Sequence, residues 1–164
     1  MAVVVNNPAA GNFAANYGMF QHNATLTNGG ATSANLFLLD TVDFANGISV
    51  IDGSKITIAT SGVYNLQFSA QFSRAGGAGF STAEVWLAKN GANVADTTGQ
   101  VNVPQSGGKN IAAWNYLIQA NSGDYFQLYW ASTDTTLEVL YSAAGTNPTR
   151  PVTPAIIVTV TQVV

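Results

Sequence analysis

The stretch Gly62–Arg74, GVYNLQFSAQFSR, constrains the fold of this chain most. Tyr64, Leu66, Phe68, Ala70 and Phe72 hold its even positions, and Val63, Asn65, Gln67, Ser69, Gln71 and Ser73 its odd ones. Successive side chains of a strand point to opposite faces. The alternation therefore predicts one β-strand with an aromatic face in a core and a polar face outside it. Gly62 opens the strand and Gly76-Gly77-Ala78-Gly79 closes it. A single strand cannot cover its own apolar face, so a second packed layer is required.

The remaining segments are also strands and turns. Asn16–His22 reads as a short strand, Thr25–Ala34 as a loop, and Asn35–Val42 as a strand buried on both sides. Ile48–Ile51 and Lys55–Ala59 make a hairpin over Asp52-Gly53-Ser54. Phe80–Lys89 ends at Asn90-Gly91, a pair suited to the positive φ angles of a type I′ turn. Ala92–Asp96 and Gln100–Val103 are short returns. Lys109–Ala120, Tyr125–Ser132 and Thr136–Ala143 follow as strands. Gly145–Pro154 holds three prolines and reads as an irregular connection. Ala155–Val164 is a β-branched strand at the chain end; unpaired it would fray, which places it centrally. No helical period and no internal repeat is visible. The expectation is all-β: one jelly-roll β-sandwich over residues 16–164, preceded by an extended arm at residues 1–15.

Composition narrows the function. Charged residues are 8% of 164, and the net charge is −3, so nothing favours nucleic acid or an anionic membrane as partner. A hydrophobic content of 47% argues for a folded chain. There is no cysteine. The opening MAVVVNNPAAGN has no signal-peptide pattern, and no apolar run has membrane-spanning length, which predicts synthesis and assembly in the cytoplasm. So few surface charges are unusual for a free monomer and fit a surface covered in an assembly.

Reactive chemistry is sparse. His22 is the lone histidine and no G-x-S-x-G elbow accompanies it, so neither an enzyme nor a catalytic residue is expected. Asp40 and Asp43 could share a calcium ion, but no EF-hand spacing supports this; they read as turn or cap acids, with no metal or cofactor expected. Gly76–Gly79 lacks the Lys-Ser/Thr of a phosphate loop. Trp86, Trp114 and Trp130 sit mid-strand, where core or subunit packing is the first reading and a sugar platform the second. Lys109 and Arg150 read as too few for a basic patch.

Three segments recur in order in a known superfamily: Gly62-Val63-Tyr64, then Val85-Trp86-Leu87-Ala88-Lys89-Asn90-Gly91, then Gly123-Asp124-Tyr125-Phe126-Gln127-Leu128. Over about the C-terminal two thirds, the chain resembles the jelly rolls of tumour necrosis factor and the C1q globular head. A narrower set is similar to C1q-like proteins of bacteriophages, notably those infecting cyanobacteria. It comprises Tyr17-Gly18, Asn46-Gly47-Ile48-Ser49, Ala112-Ala113-Trp114-Asn115, Thr146–Pro151 and Val160–Val163.

The resemblance implies a virion protein acting as a homotrimer. Apolar residues on both faces of Lys109–Ala120, Tyr125–Ser132 and Ala155–Val164 are compatible with that. Tyr17, Phe20, Trp114, Tyr116, Tyr129 and Ile157 are the candidates for trimer packing. The main expectation is a capsid decoration (cement) protein whose arm, through Val3, Val4, Val5, Asn6 and Phe13, grips the major capsid protein. The alternative is a receptor-binding head on fibre or baseplate proteins. It would recognise host surface glycan through the loops Gly76–Gly79, Thr97–Gln100 and Pro104–Gly108.

Overall fold

The computed structural model describes residues 15–163. The candidate lattice contacts Val3, Val4, Val5, Asn6 and Phe13 lie outside the described residues. In chain order the strands are β1 (Tyr17–His22), β2 (Leu26–Thr27), β3 (Asn35–Leu36), β4 (Thr41–Asn46), β5 (Ile48–Ile51), β6 (Lys55–Ile58), β7 (Gly62–Arg74) and β8 (Ser81–Lys89). They continue as β9 (Ala92–Asn93), β10 (Gly99–Val103), β11 (Lys109–Ala120), β12 (Tyr125–Ala131), β13 (Leu137–Val139), β14 (Gly145–Thr146), β15 (Thr149–Arg150) and β16 (Ile156–Gln162).

Two antiparallel sheets enclose one core. The first runs β2-β13-β7-β16-β1-β4, with β11 on the free edge of β7. The second runs β10-β8-β12-β6-β5, with β3 on β12 and β9 on β8. β7 is the longest strand, and it pairs on both edges. β11 follows it from Gly62 to Ser73, while β16 and then β13 share its other edge. Its even side chains, Tyr64, Leu66, Phe68, Ala70 and Phe72, are all buried. Ile56, Leu87, Phe126, Leu128 and Trp130 of the second sheet belong to the same core. Strand β16 lies between β1 and β7, the central place expected of it.

Polar groups tie Asn16, ahead of β1, to the last residue of β16 and to β7. Asn16 donates through Nδ2 to Gln162 Oε1 at 2.7 Å and to the Tyr64 hydroxyl at 3.2 Å, and that hydroxyl donates to the Thr60 carbonyl at 2.6 Å. Asn16 fills the space where a Cβ on Gly47 would stand, and Gly47 has φ +67°, so no larger residue fits there.

The structure corrects several boundaries. Asn35–Val42 is not one strand buried on both sides. Asn35 and Leu36 pair with β12, and the chain then crosses to the first sheet, where β4 begins at Thr41. Phe37 and Leu39 enter the core during this crossing while Leu38 stays exposed, so the apolar run marks a bridge between layers. Phe37 packs against Phe68, Phe72 and Trp130. Thr136–Ala143 shortens to β13 because the chain leaves the sheet at Leu140. Gly145–Pro154 contains the small hairpin β14–β15.

Two acids brace the turns. Lys89, the Asn121 N–H and Asn90 all donate to Asp124, holding its carboxyl at about 2. The Thr136 hydroxyl and N–H, with Ser81 and the charge of Arg74, hold Asp134 at about 2 despite its partial burial. Both folded values lie below the unfolded value of about 3.9, so their contribution is full above that pH and is lost as pH falls towards 2. The melting temperature of the wild type should therefore drop between about pH 4 and pH 2, and Asp134→Asn should drop less over that window. In urea melts, Leu66→Ala should cost about 2–5 kcal/mol. Gln67→Ala, one residue away on the outer face, should stay within about 0.5 kcal/mol.

Candidate assembly face

Directly opposed residues of a ladder share a face. The outward positions of the first sheet can therefore be read strand by strand. One row is Tyr17, Thr161, Asn65 and Leu117. The next is Phe44, Met19, Thr159, Gln67 and Asn115. A third is Gln21, Ile157, Ser69 and Ala113, and beyond it Gln71 stands opposite Ile111. None of these rows holds a charged residue. Charges enter only at the margins, as Asp43 at the irregular edge of β4 and as the row Glu138, Ser73 and Lys109 at the far end.

The centre of the face is mostly hydroxyl and amide, interrupted by Ile157, and its rims carry the large exposed apolar residues. Leu117 is 68% exposed, Phe44 55%, Ile111 53% and Tyr17 42%. Tyr17 and Phe44 meet edge-on with ring centroids 5.9 Å apart. In water, such side chains gain by being covered. An uncharged face can be covered without desolvating an ion, so this surface suits packing against another protein surface.

Only two of the six residues expected at a trimer contact lie here, Tyr17 and Ile157. Phe20 does not: it is fully buried in the core, because its register partner Val158 also points inward. Tyr116 is buried too, stacked near Phe68 with its hydroxyl donating to the Thr97 carbonyl at 2.8 Å. Trp114 points the same way. It meets Phe68 edge-on at 4.7 Å, donates to Tyr116 Oη at 2.7 Å, and lies so close over Gly99 that a Cβ there would fall 2.6 Å from the indole ring. It closes the seam between β11 and β10. Tyr129 is on the opposite sheet, stacked on Trp86 at 5.7 Å.

Phe44, Met19, Ile111 and Leu117, not among the expected contacts, also lie on this face. The odd positions of Lys109–Ala120 carried the signal for two of them, since Ile111 and Leu117 are large apolar residues on the face opposite Trp114 and Tyr116.

Other singled-out groups have separate partners. His22 Nδ1 lies 3.0 Å from Asp40 Oδ2, and Asp43 accepts from Gln21 at 2.9 Å. No group of three or more His, Cys, Asp or Glu among the described residues could hold a metal. The loops Gly76–Gly79 and Pro104–Gly108 meet at one end, where Ser106 N–H donates to the Gly77 carbonyl at 2.9 Å. Gly99 and Gln100 belong instead to β10.

The second sheet presents a different surface. A groove of about 380 Å³ is bounded by residues 31–34, Thr82, Glu84, Trp86, Gln100 and residues 131–133. Gln100 donates to Glu84 Oε1 at 2.7 Å, and no ion pair engages that carboxylate among the described residues. A half-exposed indole, a carboxylate and several hydroxyls are groups that can hold a neutral, hydroxyl-rich ring.

No protein-family model and no curated protein matches the chain. Solved structures do. The crystal structure of murine APRIL at pH 8.5 has a TM-score of 0.56 at 7% identity, covering 91% of this chain and 99% of that one. The crystal structure of murine APRIL at pH 8.0 has the same TM-score and coverage at 9% identity. At such identities the likeness concerns architecture alone, and it establishes the fold as a jelly-roll β-sandwich of the tumour necrosis factor type.

Proposed function

We propose that this protein is a bacteriophage virion component, a capsid decoration protein that assembles as a homotrimer and stabilises the head by binding the major capsid protein. The observation that carries the assembly is the uncharged outer face of the first sheet, rimmed by Tyr17, Phe44, Ile111 and Leu117. Soluble oligomers close through rotational symmetry, and the count of three follows the resemblance to the trimeric jelly rolls of the tumour necrosis factor and C1q type. The virion role rests on the phage-type segments, from Tyr17-Gly18 to Val160–Val163. The cementing action would be mechanical: contacts bridging neighbouring capsomers add buried area that must be exposed before the shell opens.

A second reading, the receptor-binding head, draws on the groove beside Trp86 and Glu84. That groove lies on the sheet opposite the proposed assembly face.

Quantitative mass spectrometry of purified particles tests the choice. A copy number equal to that of the major capsid protein, or a simple fraction of it, is expected. A handful of copies in a multiple of three would favour the receptor-binding head, and absence from particles would overturn both. Leu117→Lys should abolish the oligomer by sedimentation while leaving the circular dichroism spectrum unchanged. An oligomer indifferent to this charge would remove β11 from the interface.

A further inference from the structure

The chain has five lysines and arginines. Three are neutralised within the fold: Lys55 by Asp52 and Lys89 by Asp124, each at 2.7 Å, and Arg74 by Asp134. Lys109 and Arg150 form no ion pair among the described residues. These two, far apart in sequence, line one cavity of about 280 Å³ together with Gln71, Phe72, Leu140, Ser142 and Thr153.

The topology explains how they meet. Gln71 of β7 accepts from Leu140 N–H at 2.7 Å and donates its own N–H to the Ala155 carbonyl at 2.9 Å. Between those two bonds the chain leaves the sheet and returns, held at its neck by the paired backbones of Ser142 and Thr153. The excursion carries the hairpin β14–β15, and with it Arg150, to the β7 edge where Lys109 opens β11 opposite Ser73. Gly145 stands opposite Arg150 in that hairpin. A Cβ on Gly145 would fall 2.7 Å from Arg150 Nε and 2.8 Å from its Cγ, so the glycine lets the arginine stem lie flat across the hairpin. The Pro-rich connection thus positions a guanidinium.

We propose that this cavity binds an oxyanion group, a carboxylate, sulfate or phosphate, borne by a small ligand. Arg150 supplies a planar fork that matches two oxygens, Lys109 a second positive charge, and Ser142 and Thr153 hydroxyl donors. No acid among the described residues lines the cavity. Glu138 stands on the same face across Ser73, two strands from Lys109, and forms no ion pair with it among the described residues. A cavity near 300 Å³ is at the small end of ligand pockets, room for the anionic group and the atoms that bear it. The inference is independent of whether the protein sits on a head or a tail.

The test is calorimetric titration of the full chain at low ionic strength with sodium sulfate, inorganic phosphate and sodium glucuronate, with sodium chloride at matched ionic strength as reference. Saturable binding of at least one of the three oxyanions is expected. Preference for phosphate would mark a phosphoryl ligand, and preference for glucuronate a uronic acid. Arg150→Ala and Lys109→Ala should each weaken binding by roughly tenfold or more. Gly145→Ala should weaken it with both charges retained. Lys55→Ala, which removes an equal charge elsewhere, should not. Saturation by none of the three, binding that survives both cation variants, or equal weakening by Lys55→Ala would overturn the proposal. So would variants that change only the mass of the assembled species, since the two cations would then serve a neighbouring copy's carboxylate.

Discussion

The ladder that β7 makes on both of its edges sets the place of every other element in the first sheet. On one edge β11 pairs along almost its whole length. On the other, β16 and β13 divide it at Gln71. That division is where the chain can leave the sheet without orphaning a backbone group, because Gln71 bonds both the departing and the returning strand. The alternation of β7 then does the rest. Its even side chains anchor the core, and its odd ones form the middle of the outer face.

The two outer surfaces of the sandwich differ in kind for a physical reason. The first sheet contains the long strands whose outward residues are Thr, Ser, Asn and Gln with apolar rims, so nothing on it resists being covered. The second sheet carries Glu84, Lys89 and the Trp86–Tyr129 stack, with a groove beside them. One surface suits contact with protein and the other suits water or a polar ligand. Most of the cations pair within the chain on turns and loop ends, and the ions of the assembly face stand only at its margins.

Much of the fold was legible because period-2 alternation survives in β7, β8, β11 and β12, and because Asn90-Gly91 and Asp52-Gly53 are strong turn signals; Asp52 and Asn90 do take positive φ. The central place expected of β16, argued from the fraying of an unpaired strand, is the one it takes between β1 and β7. The crossing at Phe37–Leu39 was not legible: an apolar run looks the same whether it is a buried strand or a bridge between sheets. Of the residues singled out for subunit packing, Tyr17 and Ile157 lie on the outer face of the first sheet. Aromatic residues drew attention to Phe20, Trp114 and Tyr116, yet large aromatics are what a core consumes first. Leu117 and Ile111, less conspicuous in sequence, are the exposed ones. The meeting of Lys109 and Arg150 could not be seen in the chain, since it depends on where a proline-rich excursion returns.

The measurement that tests the central claim most directly is the mass of the wild-type chain in solution by native mass spectrometry at micromolar concentration. The proposed homotrimer predicts a species of three times 17.0 kDa. A stable species of a single 17.0 kDa chain would contradict it, and would leave Tyr17, Phe44, Ile111 and Leu117 as an exposed apolar rim with no covering partner.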